Sequence, residues 1–109
     1  MQILVLVPCS KGPSLREAMV SDPELLRFQL DLVKEKLRGR RPGWAKLKSA
    51  LQGIDGSLNI QWHANTSMLE CRIITKSDSD PAPIAGDLVA YLMDRFSERI
   101  QAIHLIPRE

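Results

Sequence analysis

The sequence predicts an α+β chain of ferredoxin-like βαββαβ order: a four-stranded antiparallel sheet, helices mainly on one face, and an extended helical first crossover. Three observations predict it. Residues 56–76 hold two alternating runs around Asn65-Thr66-Ser67, the pattern of a hairpin with one buried face. Ile84, Leu88, Leu92, Phe96 and Ile100 recur at four-residue steps, as on the apolar face of a helix. Residues 3–7 read Ile-Leu-Val-Leu-Val, apolar on both strand faces, as a central strand is.

In chain order, the first strand covers 2–7 and meets Pro8, which has no N–H for a ladder bond. A loop follows at Cys9-Ser10-Lys11-Gly12-Pro13, and Ser14 is suited to cap a short helical turn through Met19. Ser21-Asp22-Pro23-Glu24 is a helix-start signal. Beyond it Leu26, Leu30, Val33 and Leu37 form a stripe, widened by Leu25, Phe28 and Leu32, that ends at Gly39. After the Arg41-Pro42-Gly43 break, Trp44, Leu47, Ala50 and Leu51 stand at the spacing of a second, shorter helix. Gly53 and Gly56 punctuate the entry to the hairpin. There Leu58, Ile60, Trp62 and Ala64 oppose Asn59, Gln61 and His63, while Leu69, Cys71 and Ile73 oppose Glu70 and Arg72. The turn-rich stretch 77–83 can cap the last helix, and Ile103, Leu105 and Ile106 make a final strand closed by Pro107. Right-handed crossovers then order the strands fourth-first-third-second, with the hairpin's first strand and the final strand at the edges. The expected core is Leu58, Ile60, Trp62, Leu69, Cys71, Ile73, Leu88, Leu92, Phe96, Ile103 and Leu105.

A chain of 109 residues suffices for one hydrophobic core and is short for two, so a single domain over 1–109 is expected. The apolar run at 3–7 is too short for a membrane span or a signal-peptide core, and no basic residue precedes it. The expected setting is cytoplasmic, with no membrane association. Cys9 and Cys71 show no CxxC spacing and no nearby histidine pair, which argues against structural zinc and against a disulfide framework. No glycine-rich phosphate loop of the GxxxxGK[ST] kind is present. No cofactor is expected.

Charge is unevenly spread. Lys34, Lys36, Arg38, Arg40, Arg41, Lys46 and Lys48 face one acid, Glu35, so this segment carries +6 within a chain of net +2. Arg38, Arg40, Arg41, Lys46 and Lys48 are therefore candidate ligands for an anionic partner such as nucleic acid, with Trp44 offering a stacking face. The competing reading is that cations at a helix end merely offset its dipole, and that Trp44, in step with Leu47 and Leu51, is core. Stacking of RNA bases on the sheet is disfavoured, because the central strands carry no aromatic residue.

The second candidate site is the polar phase of the hairpin. His63, Glu70 and Arg72 can hold a polar organic ligand, with His63 or Glu70 able to move a proton. This supports an alternative reading as a small dimeric enzyme or ligand-sensing domain. The competing reading is a solvated sheet face with a cross-strand ion pair. His63 and His104 fall on opposite sheet edges, roughly 14 Å apart at three strand spacings, too far to share a metal. Cys9 beside Lys11 invites a nucleophile reading, but a phosphatase loop needs arginine where Leu15 stands.

The first strand points to self-association. Ile3, Val5 and Val7 share one face and Leu4 and Leu6 the other, and helices on one side of the sheet cover only one set. The other set, with Ile74, Ala102 and Ile106, makes a polar-rimmed apolar patch that a two-fold homodimer would bury. The rival is internal cover, with residues 44–51 folding over that face.

Overall fold

A computed structural model describes residues 1–76 and 78–108; Ser77, the first residue of the expected capping stretch, lies outside the described residues. Strand β1 (Gln2–Pro8) leads to helix α1 (Leu15–Val20), capped as expected by the Ser14 hydroxyl, which accepts from the Glu17 N–H at 3.3 Å. A single 3-10 turn over Leu25–Phe28 follows, then β2 (Leu30–Lys34) and β3 (Trp44–Ser49). The hairpin is β4 (Gly56–His63) and β5 (Met68–Thr75). Helix α2 (Ala82–Phe96) and β6 (His104–Arg108) complete the order.

All six strands join one antiparallel sheet in the order β2-β3-β4-β5-β1-β6. This is not the four-stranded ferredoxin-like sheet expected from the sequence, and the error lies in residues 24–51. The apolar stripe read there as helix also satisfies a period of two: Leu30 with Leu32, and Ala45 with Leu47 against Lys46 and Lys48. The strand solution prevails because β4 offers a free edge. Pairing Ala45 with Ile60 and Leu47 with Leu58 buries all four completely, while Lys46 and Lys48 go to the other face. Gln29, at φ 64°, ends the 3-10 turn in the left-handed region, where a helix cannot continue.

Three further expectations change with it. Strand β4 is internal, and the edges are β2 and β6. Leu105, on the edge strand, is 51% exposed rather than core. Of residues 44–51, Trp44–Ser49 extend the sheet as β3 instead of folding as a helix over its open face.

The core lies on one face. Val5, Val7, Leu58, Ile60, Leu69 and Ile73 are fully buried there against Leu15, Met19, Ile84, Leu88 and Leu92 from the two helices. Each such Leu or Ile contributes about 1.5–3 kcal/mol relative to an exposed position. Phe96 and Ile103 pack partly buried at its margin. On α2 the buried side is Ile84, Ala85, Leu88, Tyr91 and Leu92, while Met93 is exposed.

Asp22 pins α2 to the chain before the 3-10 turn. Its carboxylate, 4% exposed, accepts from the Glu24 N–H at 2.9 Å, the Tyr91 O–H at 2.8 Å and Arg95 Nε at 3.0 Å. Burial alone would raise the Asp22 carboxyl, but these donors and the Arg95 charge bring it below the ordinary aspartate range.

Candidate anion-binding site

The face of the sheet away from the core is set by register. One cross-strand row runs Lys46–Asn59–Arg72–Leu4–Ile106, and the next runs Trp44–Gln61–Glu70–Leu6–His104. The same alternation that buries Leu58, Ile60, Cys71 and Ile73 therefore collects polar and basic side chains on β3, β4 and β5, with apolar ones on β1 and β6.

Residues 35–43, the basic connection between β2 and β3, close over one end of this face. They are not a helix end, so the dipole account of their charge does not apply. Gly43, at φ 92°, fits its carbonyl against β4, accepting from the Trp62 N–H at 2.9 Å. Gln61 Nε2 donates to the Pro42 carbonyl at 2.9 Å. At the loop's stems Arg16, 6% exposed, donates through Nε to the Trp44 carbonyl at 3.1 Å and through Nη2 to the Glu35 carbonyl. Its remaining charge is met by Glu17, with Nη1 to Oε1 at 2.6 Å. Arg16 is thus a rivet between α1 and both ends of the loop. No spacing or motif marks it in the sequence; only the packed structure shows it.

The loop sets Arg40 and Arg41 beside His63, Glu70 and Arg72 around a concavity of about 430 Å³ floored by Asn59 and Gln61. Arg40 and Arg41 of the basic candidate set thus line the same concavity as all three residues of the sheet-face set. His63 Nε2 lies 3.1 Å from Glu70 Oε1, and Glu70 is the one acid among the lining residues. Among the described residues Arg40, Arg41, Arg72, Lys46 and Lys48 make no ion pair. Trp44 is buried in a strand rather than a helix, with the Arg40 guanidinium 5.3 Å from its ring centroid. Its indole Nε1, also buried, has no acceptor among the described residues.

Not every candidate converges here. Arg38 lines an adjoining cavity of about 620 Å³ that shares Arg40, Arg41 and Trp44 with the first; there Arg16 is already engaged and Glu17 and Glu35 offset the charge. Lys46 and Lys48 line a neighbouring concavity of about 400 Å³. His104 sits on β6, two strands beyond Glu70 and on the far side of β1. Cys9 is 5% exposed and its thiol is pushed up by burial, with the Arg99 charge only partly offsetting this. Burial thus disfavours the thiolate form. Cys71, at the centre of the sheet, is pushed up further by burial.

The chain matches no protein-family profile, no curated protein and no solved structure. Among the described residues no helix is long and apolar enough to cross a membrane.

Proposed function

We propose that the chain is a small binding module whose open sheet face takes an anionic, phosphate-bearing partner. The observation that carries this reading is the meeting of Arg40, Arg41 and Arg72 around one concavity beside His63, with a single acid present. Guanidinium groups match phosphate oxygens in paired hydrogen bonds, and their clustering strengthens the local field. The test is calorimetric titration with polyphosphate at low and at physiological salt. Affinity should fall steeply with salt and at least tenfold in Arg40→Glu/Arg41→Glu; absent binding, or binding indifferent to both changes, removes the reading.

The His63–Glu70 contact favours a second reading, a small enzyme or ligand-sensing domain that holds a polar organic molecule through His63, Glu70 and Arg72. A small carboxylate that shifts the His63 ring resonances, with polyphosphate leaving them unmoved, would favour it.

The proposal includes a homodimer. Leu4, Leu6 and Ile106 adjoin one another across β1 and β6 on the open face, beside His104 and Arg72. A two-fold copy placed over β1 and β6 covers this apolar half and leaves the basic half on β3 and β4 free. A cytoplasmic setting also belongs to the proposal, supported by two free, buried thiols suited to a reducing compartment.

A further inference from the structure

We infer that the partner is single-stranded nucleic acid, held by its phosphates along a groove over β3 and β4; this rests on the anion-binding reading above. The concavity at Arg40 and Arg41 and the one at Lys46 and Lys48 are not separate. Both are lined by Ile74, and Lys46 of one is the cross-strand partner of Asn59 in the other. Together they form one track that runs along the strands rather than across them.

The cations follow that track. Arg40 and Arg41 stand at one end, Lys46 and Arg72 share the middle row through Asn59, and Lys48 occupies the next row beside Ser57. Beyond it Lys76 pairs with Asp55 at 2.9 Å. Lys46 and Lys48 are two residues apart on one strand, so successive rows advance by about 6.6 Å, the scale of one stretched nucleotide. From His63 to Ser57 the track covers about 20 Å, room for three or four phosphates. Asn59, Gln61 and Ser57 lie between the cations and supply neutral donors and acceptors to sugar and base edges.

Other polyanions fit less well. An acidic peptide in extended form adds to a sheet edge through its backbone, whereas β3 and β4 are both internal strands. A lipid surface meets a broad face, and these cations line a groove roofed at one end by the 35–43 loop. Base stacking contributes little, since Trp44 is 4% exposed and no Phe or Tyr lines either concavity. The binding is therefore sequence-independent and salt-steep.

The experiment is fluorescence anisotropy with labelled oligothymidylate of about twelve nucleotides, competed by thymidine 5′-phosphate, polyglutamate and phosphatidylserine vesicles, using wild type and Lys46→Glu/Lys48→Glu. The oligonucleotide should bind at least a hundredfold more tightly than the mononucleotide. The double variant should lose at least tenfold while keeping its wild-type urea midpoint. The slope of log K against log salt should be about −2 to −3, from three or four phosphates at about −0.7 each. Equal affinity for mononucleotide and oligonucleotide, or no effect of the Lys46/Lys48 reversal, overturns the track while leaving the Arg40/Arg41 anion site standing. Tighter binding of polyglutamate or of the vesicles overturns the choice of partner. Loss of all polyanion binding, polyphosphate included, removes the underlying reading itself.

Discussion

Gly43→Ala tests the join between fold and site. Gly43 lies at φ +92°, and a Cβ added there would stand 2.8 Å from the Trp62 carbonyl oxygen and 3.0 Å from Gln61 Nε2. The Gln61 amide can swing aside, at the loss of its bond to Pro42, but the Trp62 carbonyl belongs to an internal strand and cannot. The left-handed conformation alone costs an alanine about 1 kcal/mol, and the forced separation of loop and strand adds about 2 kcal/mol. Gly39 provides the control: it has φ +85° in the same loop but nothing within 4 Å. Gly39→Ala should therefore cost only the conformational share, about 1 kcal/mol. In urea, with a slope of about 1.5 kcal/mol per molar, the midpoint should fall by about 2 M for Gly43→Ala and about 0.7 M for Gly39→Ala. Because the loop carries Arg40 and Arg41, Gly43→Ala should also weaken polyphosphate binding more than Gly39→Ala does. Equal midpoints for the two variants would refute the close approach of Gly43 to β4.

Other perturbations follow from the same structure. Arg16→Lys keeps the charge but cannot reach both stem carbonyls; it should cost about 2 kcal/mol and speed amide exchange in residues 36–42, while β4 and β5 stay protected. Asp22→Ala removes the acceptor of Tyr91 and Arg95 and should cost about 2–3 kcal/mol in urea unfolding at neutral pH. Because the Asp22 carboxyl is lowered from its ordinary 3.8, the stability it contributes is present above that value and is lost as pH falls through the lower folded value. Wild type should therefore converge on Asp22→Ala in acid, and a constant gap between them down to pH 2 would contradict the linkage. Leu4→Lys should turn a sedimenting dimer into a monomer at tens of micromolar with the far-ultraviolet circular dichroism unchanged; a wild type already monomeric there removes the dimer.

What the sequence determined by itself is what short-range periodicity determines. The β4–β5 alternation and the four-residue recurrence on α2 each draw on neighbours within one element, so pattern alone specifies which side is buried; the apolar run of β1 marks a central strand without choosing its buried face. The same logic placed His63, Glu70 and Arg72 together on the exposed phase. Residues 24–51 were not legible in this way. Their leucines satisfy both a helical and an alternating period, and the choice rests on Ala45 and Leu47 meeting Ile60 and Leu58 on a strand that follows them in the chain. The long basic loop at 35–43 also hides the hairpin, because it lacks the two-residue glycine turn that marks a tight one. Only the tertiary structure could decide the rest. Arg16 acquires its role from two carbonyls, one nineteen and one twenty-eight residues away. Arg40 and Arg41 meet Arg72 because the β3–β4–β5 register and the Gly43–Trp62 contact carry the loop over the sheet. Such meetings depend on non-local pairing, whose energy appears only once the strands are side by side.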